Sequence, residues 1–327
     1  MIQNVGLVSG DVKRRMLKMK ISLVPEYTSY PKRFAAYKWF KPLLAILIAA
    51  IFIFVSGMVL VYSATGIAGA MGMDVSGVLG GGYDNLNIYS ALGAIVTLAS
   101  VAVMLPGVLI GNRIVNSRPF SSISSSRGGF DFKVFFKCIC AALVLVVIPL
   151  IIYSFVSGSS IGAVKFTVMG FILCTILGPL QCVGEEYLMR GLVMQTFGSW
   201  IKFPIIAVLL QAIPFMLMHP YNITGMISVG ITGAILGFIA YITHGLEAAC
   251  ALHIANNMTS FYMQGFGVNS ISSTVTITDM AVSLGVVVLY LVFIIIADKK
   301  LGWFDHIRRD DAAEFNAKYE AKKAKKS

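Results

Sequence analysis

Eight stretches of the chain are almost continuously apolar, at about 42–63, 88–111, 135–156, 166–188, 204–219, 226–243, 247–265 and 277–297. Runs of roughly 18 or more apolar residues read as membrane-spanning helices, and polar positions collect between them. The pattern predicts an all-α polytopic integral membrane protein with about eight transmembrane helices. It divides the chain into a basic N-terminal segment (1–41), helices 1–3 with a basic loop at 113–133 (42–160), helices 4–7 (160–265), a last transmembrane helix (266–298) and a basic tail (299–327).

Charge orients this layout. Of the 26 Lys and Arg, every one except Lys165 falls on the side shared by the two termini, counting Arg190 and Lys202 as lying between spans four and five. The opposite loops hold Asp74, Asp84 and Asp279. The positive-inside rule then places both termini in the cytoplasm. The net charge of +11 belongs to topology and to contact with anionic lipid, so no nucleic-acid partner is expected. Basic residues crowd the first 41 positions (Lys13, Arg14, Arg15, Lys18 and Lys20 among them), and no cleavable signal peptide is expected there. The five cysteines lie in or beside apolar runs and read as small hydrophobes. The 113–133 loop, with Arg118, Pro119, Phe120 and a run of serines, reads as a cytoplasmic connector.

Ionisable residues inside a bilayer are costly and mark function. Spans one, two, three and eight have none in their interiors, whereas spans four to seven contain Glu185, Glu186, Arg190, His219, His253 and, near an end, Glu247. Glu186 and Arg190 are four residues apart and meet on one helix face; Glu185 is turned about 100° away and left for other work. An unpaired, desolvated glutamate suits a general base acting on water. Phe215 and His219 share a face, and Pro214 can bend their helix and widen a cavity. His253 and Asn257 stand one turn apart among alanines that permit close helix approach, and a histidine with a carboxamide can hold an oxyanion.

These three patterns, Glu-Glu-x-x-x-Arg at 185–190, Phe-x-x-x-His at 215–219 and His-x-x-x-Asn at 253–257, occur in order, each on its own apolar helix. Over about 160–262 the chain resembles the CPBP family, which includes the type II CAAX prenyl endopeptidases and the Abi-type proteins. Arg118, Pro119, Phe120 and Ser122 resemble the basic loop that precedes this region in bacterial members. The resemblance implies an intramembrane endopeptidase with a cavity open toward the cytoplasm, in the cell membrane of a bacterium. It implies that Glu185 activates water with help from His219, that His253 and Asn257 stabilise the oxyanion, and that Glu186, Arg190 and Phe215 orient them.

Two mechanisms fit these residues: zinc held by Glu185, His219 and His253, or a metal-free glutamate mechanism; His-Glu-x-x-His is absent from the sequence. The expected partners are membrane lipids and a membrane-associated peptide or lipidated protein substrate, with a CAAX-type C-terminus or a peptide or bacteriocin precursor. The alternatives are a non-catalytic immunity or peptide-binding protein and, further off, a secondary transporter. The uncharged first three spans and the lack of repeat symmetry oppose a transporter. Depth poses one geometric demand. Counted from the cytoplasmic ends, Glu185 and His219 lie about 20 Å deep and His253 about 10 Å, so tilt, a bend at Pro214 or a deeper start of span seven must bring them together.

Overall fold

A computed structural model describes residues 24–73, 75, 87–268 and 274–325. The basic N-terminal residues Lys13 to Lys20, Asp74, Asp84 and Lys326 lie outside the described residues. Each of the eight apolar stretches is a helix: α1 Lys41–Ala70, α2 Ala91–Val115, α3 Phe132–Val156, α4 Val168–Trp200, α5 Pro204–Leu217, α6 Ile223–Ile242, α7 Glu247–Gly265 and α8 Ile277–Leu301. Six of them are long and apolar enough to cross a membrane. The other two depart for separate reasons. α5 has 14 residues, and α7 carries the polar residues of the site. A polar helix, α9 Asp311–Ala324, follows. The protein is an all-α, multi-pass membrane protein; among the described residues the only bridge pairings are the isolated Ser125–Gly245 and Ile161–Val268.

Local chemistry sets the helix ends. Thr167 caps α4 by accepting from Gly170 N, Asn222 caps α6 by accepting from Gly225 N, and Thr276 with Asp279 forms a capping box on α8. Leu43, Leu47, Ile51, Phe54 and Val55 of α1 are exposed apolar side chains, as a lipid-facing helix requires. Its other side meets α2 through Gly107-x-x-x-Gly111: a Cβ at either glycine would collide with Ile53 or with the Ala45 carbonyl.

α7 is the centre of the bundle. Ala248, Ala249, Cys250, Ala251 and Leu252 are fully or almost fully buried, and α3, α4 and α6 pack around them. One face of the bundle gathers both described terminal segments. Asn316 Nδ2 donates to Arg33 O (2.9 Å), Asn316 Oδ1 accepts from Ala35 N (2.6 Å), and the Phe34 and Phe315 rings meet edge to face. Loops at 87–90, 157–167, 218–222 and 266–268 lie on the opposite face, where Asn87 Nδ2 donates to Lys165 O and Gly162 N to Gly267 O.

Two expectations need correction. α4 continues to Trp200 rather than ending near 188, so Arg190 lies within a helix and does not count as a topological charge. The polar residues that mimic a loop, Arg190, Gln195 and Thr196, are buried; Arg190 and Gln195 donate to the Gly233 and Ser122 carbonyls of other segments, and Thr196 to the Leu192 carbonyl of its own helix. The loop after α2 is also more than a connector. Ser122, Ile123, Ser124, Ser125, Ser126 and Arg127 are buried and form a plug under the start of α7. Leu246 N donates to Ser124 O, and Ser126 N to His244 O. Arg127 Nη2 donates to Glu247 Oε2 at 2.7 Å. Ile123 takes the space that a side chain at Gly191 would need.

Candidate active site

α4 contributes the two carboxylates. Glu185 and Glu186 close its α-helical part, and a π-helical turn, Tyr187–Val193, follows at once. Such wide turns recur at functional sites because they redirect side chains within a continuous helix. Here the turn holds Arg190 against Glu186, with Nη1 donating to Oε1 at 2.9 Å. The other arm of Arg190 donates to the Gly233 carbonyl of α6 (3.1 Å), and its guanidinium lies 4.2 Å from the centre of the Phe215 ring. Gly233 must be small at this crossing: a Cβ would stand 2.8 Å from Phe215. Gln211 Nε2 donates to the same carbonyl (2.8 Å), so α4, α5 and α6 are pinned at one point. Every group in this knot is buried, which strengthens each charge-assisted contact.

α7 brings the histidine. His253 Nδ1 donates to Glu186 Oε1 at 2.7 Å, and its Nε2 stands 3.6 Å from Glu185 Oε2. Asn257 Nδ2 donates to that Nε2 at 3.2 Å. Glu185 Oε1 accepts from Gln181 Nε2 at 2.8 Å, so the carboxylate turned away from Arg190 is steadied by a neutral amide and keeps no arginine partner. Glu185 Oε2 and Glu186 Oε2 are buried without a hydrogen-bond partner. Such oxygens cost stability, and in a native protein they call for a functional explanation.

His219 stands just past the end of α5. Its Nδ1–H donates to the Phe215 carbonyl at 2.8 Å, so in the neutral ring Nε2 is the accepting nitrogen. Phe215 touches both histidines, with ring centroids 4.8 Å from His219 and 6.0 Å from His253. His219, His253 and Asn257 line one cavity of about 130 Å³ together with Tyr221 and Ser228. The depth problem is resolved by the start of α7. Glu247 is fully buried beneath the 121–127 plug, so His253 lies deeper than a count from residue 246 suggests.

The cavity leads away from the termini. It adjoins a cavity of about 480 Å³ that reaches Ser157, Ser159, Thr274 and Asp279 on the opposite face.

The zinc set can be tested on the donors present. Glu185 Oε2 and His253 Nε2, 3.6 Å apart, have about the spacing of two ligands on a tetrahedral zinc. His219 does not complete the set: among the described residues no three His, Cys, Asp or Glu side chains form a group that could hold a metal. The arrangement therefore does not fit a three-donor zinc site.

Sequence reasoning missed several members of the site. Gln181 was legible, being one helical turn before Glu185. Tyr221, whose ring stacks on His219 (6.1 Å, 17°), gave no such signal. Burial, and then the charge of Glu185, raises the Tyr221 phenol above its ordinary pKa, so it faces the cavity as a neutral hydroxyl. The Gly233 carbonyl and Gln211 were also invisible, because their role depends on how α5 and α6 cross.

Residues 165–259 match the family model of the type II CAAX prenyl endopeptidase Rce1-like proteins, and all three motifs lie inside that segment. A protein of Bacillus subtilis (strain 168) named "Uncharacterized protein YyaK" is 27% identical over 166 residues, covering 47% of this chain and 55% of that protein. The chain thus spans about half the length of the curated relative it matches. No solved structure matches the chain.

Proposed function

We propose that the protein is an intramembrane endopeptidase that hydrolyses a peptide bond in a membrane-associated peptide or protein, using water activated by Glu185. One observation carries the proposal: three motifs from three separate helices, α4, α5 and α7, converge on one buried cluster. The family match over residues 165–259 supports the same reaction class.

The chemistry follows from the placements. The free Oε2 of Glu185 is the position from which it takes a proton from water. His219, with Nε2 as the accepting nitrogen, lines the cavity shared with His253 and Asn257 and serves as a second acceptor that orients the water. As the tetrahedral intermediate forms, charge grows on the former carbonyl oxygen. Asn257 Nδ2 supplies a donor to it, with His253 beside it on the same helix face. Glu186 and Arg190 touch no substrate in this scheme: Glu186 holds His253 by Nδ1, and Arg190 neutralises Glu186. The proton taken by Glu185 returns to the leaving amine, which completes hydrolysis.

This is the metal-free reading. The donor geometry favours it, because the zinc set lacks its third member. We place the protein in the cell membrane with both termini in the cytoplasm, on the charge distribution. The test is cleavage of internally quenched peptides, one farnesylated with a CAAX-type end and one unprenylated precursor-like, by purified protein and its Glu185→Gln variant. Both proteins must show the same size-exclusion profile. Cleavage by the parent and loss in the variant supports the proposal. Equal rates in both sink the assignment of Glu185. Peptide binding without turnover in the parent moves the protein to the non-catalytic class. A chelator that abolishes activity, with zinc restoring it, overturns the metal-free part alone.

A further inference from the structure

Asn257 can hold an oxyanion only if its amide points the right way round, and a chain of hydrogen bonds sets that direction. Arg190 pairs with Glu186 at 2.9 Å, and a carboxylate in an ion pair only accepts. The hydrogen between Glu186 Oε1 and His253, 2.7 Å apart, therefore sits on Nδ1. In the neutral ring this leaves Nε2 as an acceptor. It faces Asn257 Nδ2 at 3.2 Å. Asn257 must present its nitrogen there, so its Oδ1 is turned the other way.

Asn256 meets that oxygen. Its Nδ2 donates to Asn257 Oδ1 at 3.2 Å. Neighbouring residues on a helix point about 100° apart and do not ordinarily face each other, so this contact needs both amides turned toward one another. Both side chains line the chamber that also holds His219 and His253, which leaves room for the turn. An amide nitrogen carries two hydrogens. On Asn257 one goes to His253 Nε2, and the second is left for the developing oxyanion. Turned over, the same amide would set Oδ1 against Nε2 and offer lone pairs to the negative charge it has to hold.

We infer that Asn256 is a positioning residue of the reaction: by donating to Oδ1 it locks the Asn257 amide with its nitrogen toward His253 and the substrate. The orientation rests on the hydrogen bonds alone, and its effect on turnover rests on the peptidase reading above. His253 cannot do this by itself. As the tetrahedral intermediate forms, Nδ2 divides its hydrogens between Nε2 and the oxyanion, whereas the bond from Asn256 to Oδ1 is unchanged by the chemistry. Donors fixed in advance stabilise a transition state because they need no reorientation when charge appears. The spacing His-x-x-x-Asn leaves position 256 open, and adjacent helical residues are not expected to pair.

A double-mutant cycle separates positioning from packing. Asn256→Asp keeps the size and sets a carboxylate oxygen against Oδ1. Asn256→Leu withdraws the donor without adding charge, and Asn256→Gln returns a donor amide. Each full-length variant, purified in detergent, must match the parent's size-exclusion profile and melting temperature. In Asn256→Leu, kcat should fall by about tenfold, the worth of one hydrogen bond, with KM unchanged. In Asn256→Asp it should fall by about 10²-fold, toward the loss of the oxyanion donor itself. Asn256→Gln should recover most of the rate. In an Asn257→Ala background, Asn256→Leu should leave kcat unchanged, because nothing remains to be positioned. The same loss in that background as in the parent overturns the inference, and so does a loss confined to KM. Nitrogen-15 spectra of the four histidines give a readout without turnover, the His253 signal being the one that His253→Gln removes. In Asn256→Asp and Asn256→Leu its Nε2 resonance should move toward that of an acceptor without a donor, in the direction that Asn257→Ala produces. An unmoved resonance overturns the inference. If the parent cleaves no peptide, the peptidase reading fails and this resonance alone decides whether Asn256 positions Asn257.

Discussion

Two buried arginine–carboxylate pairs lie on either side of the start of α7, and they do opposite work. Arg190 and Glu186 are one helical turn apart on α4, both fully buried, and share His253. Arg127 and Glu247 are 120 residues apart, equally buried, and tie the plug after α2 to the first residue of α7. Each satisfies the rule that a charge out of water must be paired. Beside the first pair, Glu185 keeps an unpartnered carboxylate oxygen 3.6 Å from His253 Nε2. The second spends its spare oxygen on structure, with Glu247 Oε1 accepting from Asp131 N at 2.8 Å. Burial of an ion pair alone therefore says nothing about catalysis; the unpartnered oxygen and the adjoining cavity do.

The sharpest way to separate the two regions is activity at constant stability. Glu185→Gln keeps the shape and the hydrogen bond from Gln181, and is expected to lower kcat/KM by about 10²–10⁴-fold with an unchanged melting temperature. Asn257→Ala should follow, with kcat down by about 10²–10³-fold, as for loss of an oxyanion donor; a change confined to KM would refute that role. At the other pair the order reverses. Arg127→Met leaves Glu247 buried and unpaired, and should cost about 3–5 kcal/mol of stability, read as a large drop in melting temperature in detergent. Adding Glu247→Leu should recover part of that loss, and the folded fraction of the double variant should cleave at a near-parental rate. Failure of the double variant to recover stability would mean that the pair is not what clamps the plug.

A smaller effect distinguishes the plug by pH. His244 lies at the joint between α6 and α7 with φ 57°, a left-handed conformation. Burial first, and then the charge of Arg127, lower its imidazole from 6.5 to about 4. The unfolded chain takes up a proton near 6.5 and the folded chain only near 4. The contribution of this group is thus full above about pH 6.5 and is lost progressively as pH falls from there to about 4. Thermal scans in detergent should show that decline. His244→Asn, which tolerates a left-handed backbone, should flatten it; an unchanged pH profile in the variant would assign the decline to other groups.

Much of the protein was legible from the chain. Apolar runs separated by charge located α1 to α8, six of them long and apolar enough to cross a membrane, because a bilayer forces every spanning backbone into a helix and leaves hydropathy as its record. Spacing alone paired Glu186 with Arg190 and His253 with Asn257, since four residues make one helical turn. What the sequence could not determine was whatever depends on how helices cross. The continuation of α4 past Arg190 was hidden because buried polar residues look like loop residues until their partners are known. The serine-rich stretch at 121–127 reads as a connector until Glu247, 120 residues away, is seen to hold it. The role of Glu186 as the partner of His253, the entry of Tyr221 into the cavity and the direction in which that cavity opens were decided by tertiary structure alone. Periodicity records which face of a helix is polar; which neighbour that face meets, and at what depth, is set by packing across the bundle.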